Sequence, residues 1–251
     1  GIRDVAVTGV QTWLFRSGAW TQLVGWTDNK GIGDTQGYRA YGGGLAGGVE
    51  RSFGNFGRLG VSFSYLLGVS DDVGSDAGVN DNEALFNLYW RATWGRLHVY
   101  ATGGYGTVDF TGRRFFNGIS GGSTFTRTAT GKWGGSVYTG AAGVSYEVPA
   151  GRFYLRPEAS IDYIRLKENG YAETGGGTGF DLTVDGRSSN ETGINGSLVV
   201  GYYLSRPKDD ESGYFRLEAH GGDRELVSST LGATTARFAG GSDFTLTPED
   251  R

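Results

Sequence analysis

The sequence predicts an all-β protein, an up-and-down antiparallel β-barrel that crosses a membrane. Apolar and polar residues alternate along most of the 251 residues, which is the period of a β-strand. Every second connection between the alternating segments is short, and the others are long and polar. Such a pattern is typical of barrels that carry turns at one rim and loops at the other. No run of about 18 apolar residues occurs, which excludes a transmembrane helix.

Composition excludes several other classes of protein. The 47 glycines lie within alternating segments, and there are only 4 prolines, which argues against a disordered low-complexity chain. Cysteine is absent, so neither disulfides nor thiolate metal sites can form. The net charge is −4 with no basic patch, so no nucleic-acid partner is expected. Methionine is also absent, and we expect a processed product or a fragment of a longer protein.

Residues 1–16 differ from the rest of the chain. Small and apolar residues between Ile2 and Trp13 recur near the helical period, whereas the valines among them favour a strand. We expect either a short helix in the barrel lumen or an extended lead-in. The barrel itself is expected to occupy residues 17–251.

About ten strands follow this segment, with no convincing helix between them. Most of them offer about 9 to 11 alternating residues, the length that a tilted strand needs to cross a bilayer. The predicted strands are Ala19–Trp26, Gly37–Arg51, Arg58–Gly68, Asn82–Trp94, Leu97–Tyr105, Val137–Val148, Phe153–Tyr163, Ile194–Leu204, Tyr214–His220 and a weak one between Thr235 and Leu246.

The two faces of these strands have different chemistry, most clearly between Val137 and Tyr163. In a membrane barrel the apolar face contacts lipid and the polar face surrounds a wet lumen, whereas a soluble sandwich would bury the apolar face against a second sheet. The side chains predicted to face lipid are Leu59, Val61, Phe63, Phe86, Leu88, Trp90, Val144, Tyr146, Leu155, Ile161, Leu198 and Val200. The charged side chains predicted to face the lumen are Glu50, Arg91, Arg156, Glu158, Asp162, Arg216 and Glu218. We expect these charges to form hydrated ion pairs; the alternative is that Arg156 and Glu158 contact a threaded helix or a passing segment.

The connections are expected to alternate in length around the barrel. Short links are predicted around Gly54-Asn55, at Gly95-Arg96, at Pro149–Gly151 and at Pro207–Ser212. Long loops are predicted at Thr27–Gln36, Ser70–Asp81, Asp109–Lys132, Lys167–Thr192 and Asp223–Thr234. Pro157 lacks an N–H donor inside a strand, which predicts a bulge or a water-bound carbonyl group there.

Three blocks of sequence resemble the C-terminal translocator domain of autotransporters, the type V secretion proteins of Gram-negative bacteria. They are Gly43–Arg51 with Gly57–Val61; Leu155–Ala159 with Tyr163, Arg165, Gly170 and Glu173 after it; and Leu182–Asp185. The resemblance runs in register over residues 19–246 and is carried mostly by glycine and aromatic spacing.

This resemblance implies a twelve-stranded barrel in the outer membrane, with a helix threading the lumen and a passenger attached upstream. It also implies contact with lipopolysaccharide, periplasmic chaperones and the barrel-assembly machinery. Two features depart from the family pattern. The chain ends at Arg251 after about ten strands, so the last hairpin is missing or the barrel closes unusually. No Asn-Asn pair occurs, so self-cleavage by that chemistry is not expected.

No catalytic, metal or cofactor site is predicted. The glycine-rich run Gly42–Gly47 matches a dinucleotide fingerprint, but it lies within an alternating segment and is interpreted as strand. His98 and His220 lie on polar strand faces with no nucleophile motif nearby. The aspartates between Asp71 and Asp81 lack calcium-loop spacing.

The function expected from these observations is that of an outer-membrane translocator which anchors and exports an N-terminal passenger. A pore or structural barrel without a passenger is the alternative. A soluble β-rich binding or enzyme domain is a weaker one.

Overall fold

The structure is a computed structural model, and it describes residues 10–13, 18–31, 37–75, 77–205 and 215–248. Within these ranges the chain forms fifteen strands and a single turn of 3-10 helix at Gly54–Phe56. No helix in the described ranges is long and apolar enough to cross a membrane. The strands are β1 (Val10–Trp13), β2 (Ala19–Lys30), β3 (Tyr38–Ser52), β4 (Arg58–Asp72), β5 (Gly78–Trp94), β6 (Leu97–Ser120), β7 (Ser123–Tyr146), β8 (Val148–Ala150), β9 (Phe153–Glu168), β10 (Tyr171–Ala172), β11 (Leu182–Val184), β12 (Arg187–Ser205), β13 (Phe215–Thr230), β14 (Thr234–Phe238) and β15 (Phe244–Leu246).

The long strands form one antiparallel sheet in up-and-down order, which confirms the predicted all-β barrel-type fold. Each long strand pairs with the next long strand in sequence, in the order β1-β2-β3-β4-β5-β6-β7-β9-β12-β13, and β8 extends the edge of β7 along β9. The sheet curls into a half-barrel. Among the described residues no pairing joins β13 to β1 or β2, so the sheet is open between its first and last strands.

Strands at one rim extend much further than the sequence predicted. β6 and β7 have 24 residues each and meet at a two-residue turn, where Gly121 and Gly122 have φ angles of +59° and +83°. The predicted long loop Asp109–Lys132 is therefore wrong. Polar residues and glycines replace the apolar ones there, but the ladder continues without a break. The loops predicted at Ser70–Asp81 and Asp223–Thr234 are also mostly strand, with links of only a few residues.

The opposite rim carries short links, as predicted. Gly95 and Arg96 form a two-residue turn between β5 and β6. The turn after β8 consists of Gly151 and Arg152, at the end of the predicted link. The predicted link at Pro207–Ser212 lies outside the described residues, and so do residues 32–36 of the predicted loop Thr27–Gln36. The loop prediction is wrong for Thr27–Lys30, which belong to β2.

A second, four-stranded sheet lies at the rim with the long strands. Its order is β10-β11-β14-β15, so it joins the segment between β9 and β12 to the segment after β13. The weak last strand predicted between Thr235 and Leu246 is thus two strands, and neither belongs to the barrel wall. A single β-bridge, Thr130 to Thr174, ties this region to β7.

Two local predictions have different outcomes. Val10–Trp13 is a strand that pairs with the start of β2, while the rest of residues 1–16 lies outside the described residues, so a lumenal helix there stays a prediction.

The bulge predicted at Pro157 is wrong, because the register from β9 to β12 passes through Leu198 and Pro157 without a shift. On the other edge of β9 the pairing with β7 ends at Glu158 and resumes at Leu155 in the same register. The missing N–H donor therefore interrupts one ladder without displacing the chain.

Candidate functional site

The convex face of the main sheet is apolar and uncovered. Of the twelve side chains predicted to face lipid, eleven are at least 37% exposed, and Phe63 and Phe86 reach 54%. The exception, Trp90, is half-buried because its ring packs against Phe56 and Trp94 at centroid distances of 5.7 and 6.1 Å. Cross-strand registers such as Val61 to Leu88 place these residues on one continuous face. No second protein layer covers that face within the described residues.

The concave face is polar, and its first charged cluster lies on β3, β4 and β5. The Glu50 carboxylate accepts hydrogen bonds from Arg58 Nη1 at 2.9 Å and from Arg91 Nε at 2.8 Å. Tyr89 donates to the same carboxylate at 3.4 Å and accepts from Trp20 Nε1 at 2.8 Å. The side chain of Glu50 is only 2% exposed, so this acid is almost completely enclosed by its partners. Glu50 and Arg91 were predicted on this face, whereas their pairing was not.

A second cluster joins β9 to β13 across β12. Arg156 Nε donates to Glu158 at 2.7 Å, and its Nη1 donates to Glu218 at 3.2 Å. Arg216 pairs with Glu218 at 2.9 Å, and the hydroxyl of the fully buried Tyr154 donates to the same carboxylate. The structure therefore brings four of the seven predicted inner residues together, around a tyrosine that the sequence did not single out.

The third cluster surrounds Asp162, the last of the predicted inner residues. Arg224 Nη2 donates to Asp162 at 2.6 Å and its Nη1 lies 2.8 Å from Glu191. Asn195 Nδ2 donates to Asp162 at 2.7 Å. The sequence predicted Arg224 in the loop Asp223–Thr234, whereas β13 continues to Thr230. The inward positions of β13 run from Arg216 to Arg224 without a register shift.

Glycines provide room for the bulky side chains of this face. A Cβ atom at Gly60 would lie 2.3 Å from the ring of Tyr89, and one at Gly201 would lie 2.0 Å from the ring of Tyr154. The glycine-rich run Gly42–Gly47, which matches a dinucleotide fingerprint, has the same role. Gly42 lies inside β3 and makes room for the ring of Trp26. This confirms the interpretation of the run as strand.

A further cluster at the rim was not predicted. Arg114 of β6 donates to both carboxylate oxygens of Glu173 and to the carbonyl oxygen of Phe180 at 3.0 Å. The rings of Trp133 and Tyr171 stack at 4.4 Å with an interplanar angle of 10°. These contacts fold the segment between β9 and β12 over the inner face of the β6–β7 extension. Continued alternation at Val108, Phe110, Gly112 and Arg114 was the available signal in the sequence.

Electrostatics at this rim favour the docked arrangement. The carboxylate of Glu173 raises the pKa of Arg114, so the guanidinium remains charged at any physiological pH. Burial raises the pKa of the Tyr171 phenol, which keeps it neutral beside Trp133. Both residues lie beyond the part of the sheet that would cross a bilayer.

The remaining candidates of the sequence make only local contacts. His98 Nδ1 lies 3.1 Å from Thr93 Oγ1, and His220 Nε2 lies 3.4 Å from Glu218. Asp72 lies 3.5 Å from the hydroxyl of Ser75 in its loop. Within the described ranges no three His, Asp or Glu side chains could hold a metal ion together. Most arginines and acids of the inner face thus neutralise one another, whereas Asp81 and Glu83 on the inward positions of β5 have no ion-pair partner among the described residues. Such a face is suited to contact with water or polypeptide.

Comparison with protein-family models matches residues 19–250 to the family described as Autotransporter beta-domain. The match covers nearly the whole chain and includes the long strands from β2 to β13. A comparison with curated proteins finds no match.

Proposed function

This chain belongs to the autotransporter beta-domain family, and from that membership we propose that it anchors an N-terminal passenger in the outer membrane and exports it to the cell surface. The family locates the domain in the Gram-negative outer membrane and gives it the role of a translocator, a transporter barrel with no enzymatic chemistry. Passenger export by this chain is the step that we propose.

The observation that supports this function best is the division of chemistry between the two faces of one sheet. The outer face presents exposed apolar residues such as Phe63, Phe86 and Ile161, which gain about 25 cal/mol for each Å² moved from water into lipid. The inner face holds the ion-paired clusters around Glu50, Glu218 and Asp162. A wet bore with paired charges offers a moving polypeptide few uncompensated charges to bind.

Closure is part of the proposal, because lipid tolerates no unpaired backbone groups. The outer edge of β13 must therefore pair with further strands when the domain is in a membrane. We propose that a twelve-stranded wall closes between β13 and the edge formed by β1 and β2. Periplasmic chaperones and the barrel-assembly machinery are the proposed partners for that step, since the resemblance to the family implies them.

The test is surface display. A folded reporter is fused upstream of the chain in its natural precursor, and antibody binding is measured on intact Gram-negative cells. We expect the reporter at the surface, and we expect Leu88→Arg to abolish display together with membrane assembly. A reporter that remains periplasmic while the domain is fully inserted would instead support the passenger-free barrel. In that case planar-bilayer conductance of the purified domain would identify a pore.

A further inference from the structure

The hairpin formed by the far ends of β6 and β7 has one covered edge and one bare edge. On the β7 edge the backbone N–H of Thr130 donates to the carbonyl oxygen of Thr174 at 2.8 Å, and its carbonyl oxygen accepts from the N–H of Thr174 at 2.9 Å. On the β6 edge the ladder with β5 ends where Arg113 pairs with Gly78. Beyond that point, over residues 114–120, β6 pairs with β7 alone among the described strands. The side of residues 114–120 that faces away from β7 is the bare edge.

The backbone groups on the bare edge can be assigned residue by residue. Both backbone groups of Thr130 point away from β6, and Thr130 stands opposite Arg113. Backbone groups of successive residues alternate between the two sides of an antiparallel strand, and the register of β6 with β7 has no shift. The N–H and C=O groups of Phe115, Asn117 and Ile119 therefore point away from β7, and they have no hydrogen-bond partner in the described part of the chain.

The bare edge lacks the features that usually prevent strand edges from pairing. Prolines, bulges and charged side chains provide this protection in natural proteins. Residues 114–120 contain no proline, and their register with β7 has no bulge. Arg114 is the one charged residue among them, and it points to the inner face, where Glu173 neutralises it. The edge can therefore accept another strand.

The outward side chains of this segment are apolar although they lie beyond the bilayer. Ile119 is 74% exposed, the highest value for a large apolar side chain among the described residues, and Phe115 is 39% exposed. Tyr105 and Tyr138 pack together on the outer face at 5.2 Å, and aromatic side chains of this kind mark the membrane–water interface. Ile119 lies roughly 45 Å further along β6 than Tyr105. Lipid therefore does not cover Phe115 and Ile119.

The inner face of the hairpin is packed against another segment, so the bare edge is preformed. The ring of Phe180 packs against Phe116 at 5.1 Å and against Phe125 at 5.8 Å. Arg127 Nη1 donates to the carbonyl oxygen of Gly176 at 2.7 Å. A preformed edge loses little conformational entropy when a partner strand binds.

We propose that the bare edge pairs with the same edge of a second copy of this chain. Antiparallel pairing about a two-fold axis at Asn117 joins Asn117 to the partner's Asn117, and it joins Phe115 to the partner's Ile119. Each of the three residue pairs then exchanges two backbone hydrogen bonds. On the outer face amide meets amide, and each aromatic ring meets an aliphatic side chain.

The order of side chains favours a second copy over an unrelated strand. Along the outer face of the bare edge the sequence is apolar, amide, apolar, at Phe115, Asn117 and Ile119. This order is the same in both directions, which is what a contact between identical surfaces requires. The ladder is limited to these three pairs, because Gly78 already occupies the place beside Arg113.

Antiparallel pairing also determines which copies can meet. In every copy β6 runs from the rim with short turns to the rim with long strands, so copies in one membrane present parallel edges. A two-fold axis that reverses the strand places the two membranes on opposite sides of the contact. The contact therefore joins two cells, and many weak contacts between facing surfaces add up. This inference shares with the proposed function the outward orientation of the long rim, and it does not require export of a passenger.

The experiment uses the absence of cysteine from the chain. Asn117→Cys places one thiol at the two-fold axis, where Cα atoms roughly 5.5 Å apart suit a disulfide. The complete chain, refolded in detergent micelles, is oxidised at a series of concentrations, and covalent dimers are measured on non-reducing gels. The matched control is Thr126→Cys, an exposed position opposite Asn117 on β7. We expect Asn117→Cys to form dimers about tenfold faster than Thr126→Cys, because only the thiols at the axis are held at disulfide distance.

Mixed cysteine variants test the register. Phe115→Cys and Ile119→Cys chains should form disulfides with each other, whereas each alone should form few, because like positions lie roughly 14 Å apart in the antiparallel arrangement. Preferential cross-linking of Phe115→Cys with itself would indicate parallel strands and would overturn pairing between opposite membranes. Equal rates for Asn117→Cys and Thr126→Cys would show random collision and would overturn the proposal.

Proline variants test whether the backbone of the bare edge makes the contact. The N–H groups of Asn117 and Thr126 both point out of the hairpin, so proline at either position removes no hydrogen bond between β6 and β7. Vesicles that carry the unchanged chain should cluster, as measured by light scattering. We expect Asn117→Pro to abolish this clustering and Thr126→Pro to retain it.

Two results of the vesicle experiment would contradict the proposal. Clustering that persists with Asn117→Pro would overturn the role of the bare edge. Clustering with protein-free vesicles as well would identify lipid as the partner and overturn the choice of a second copy. On intact cells that express the precursor, a disulfide from Asn117→Cys to a different polypeptide, with no covalent dimer, would also overturn that choice.

The two proposals fail separately. Display of a fused reporter by a chain that forms no dimers would remove the contact between copies and leave the translocator. Edge-specific dimers without display would remove passenger export and leave the contact.

Discussion

At the scale of single residues, the inner face depends on acids that each serve several arginines. Glu50 accepts from Arg58 and Arg91, and Glu218 accepts from Arg156 and Tyr154 and pairs with Arg216. Removing such an acid leaves two or more cations facing one another. The acid is therefore the more sensitive partner in each cluster.

Replacing Glu50 by alanine should destabilise the wall measurably. Hydrogen bonds to charged groups contribute more than neutral ones, but both arginines retain contact with water, so we expect a loss of about 1–2 kcal/mol in unfolding free energy. Urea unfolding of the refolded protein in micelles, followed by tryptophan fluorescence, measures the difference. Glu225→Ala, an exposed acid on β13, is the control and should change the midpoint little. Equal effects of the two substitutions would show that the cluster around Glu50 contributes no stability of its own.

Gly201→Ala tests whether glycine is required beneath a large inner side chain. The new methyl group would meet the ring of Tyr154, which is fully buried and cannot move aside, so the expected loss is about 1–3 kcal/mol. Gly196→Ala on the same strand meets no atom within 4 Å and should be nearly neutral. The same unfolding experiment compares them. Tyr154→Leu in the Gly201→Ala background should recover part of the loss, and a failure to recover any of it would contradict the steric explanation.

At the scale of strands, the alternation of apolar and polar residues predicted the order and the starts of the strands but not where they end. The all-β order and most strand starts, such as Arg58 and Phe153, follow directly from alternation. Strand ends were missed at the long rim because glycine, threonine and arginine replace apolar residues there, as between Asp109 and Lys132. A strand pair that projects into water needs no apolar outer face. Hydropathy therefore does not indicate a strand in this region, although the hydrogen-bonded ladder continues.

The inner pairs show the same limit of sequence reasoning. Which residues face inward follows from alternation, and all seven predicted residues lie in charged clusters on that face. Which residues meet depends on curvature and register, which alternation does not encode. The pair Asp162 and Arg224 joins β9 to β13 across the intervening β12, at a distance of 2.6 Å. The rim contact of Arg114 with Glu173 joins β6 to the segment between β9 and β12. These two segments are distant in the sequence, and alternation does not predict that they meet.

Leu88→Arg and Asn87→Arg are adjacent substitutions on opposite faces of β5, and they test the assignment of these faces. A charge on the lipid side at mid-membrane costs roughly 2–4 kcal/mol, so Leu88→Arg should prevent insertion. Asn87 lies on the inner face near Thr139, where an arginine can extend into the bore, and that variant should insert. Heat-modifiable gel mobility of membrane fractions measures insertion. Assembly of Leu88→Arg, or failure of Asn87→Arg, would contradict the assignment.

At the scale of the whole molecule, the rims differ in what they carry. One has the short turns such as Gly95-Arg96, and the other has the 24-residue strands and the small sheet. About 9 to 11 residues of a strand suffice to cross a bilayer, so β6 and β7 project well beyond it. The proposed translocator function would place this projection outside the cell.

Epitope tags inserted at the two hairpin turns test that orientation. A tag between Gly121 and Gly122 should be labelled on intact cells, because this turn ends the longest projection. A tag between Gly95 and Arg96 should be labelled only after the outer membrane is permeabilised. The reverse pattern of labelling would invert the proposed topology, and labelling of both tags on intact cells would indicate that the chain does not span the membrane.

We expect the small sheet to form late in folding. Strand β11 lies between β10 and β14, and the two longest-range partners, β11 and β14, are separated in sequence by the whole of β12 and β13. Contacts between such distant segments form late, because the intervening chain must first be placed. We therefore expect the segment between β9 and β12 to dock over the bore after the wall beside it has formed. In that order the bore would remain open during the stage of assembly at which a passenger would enter it.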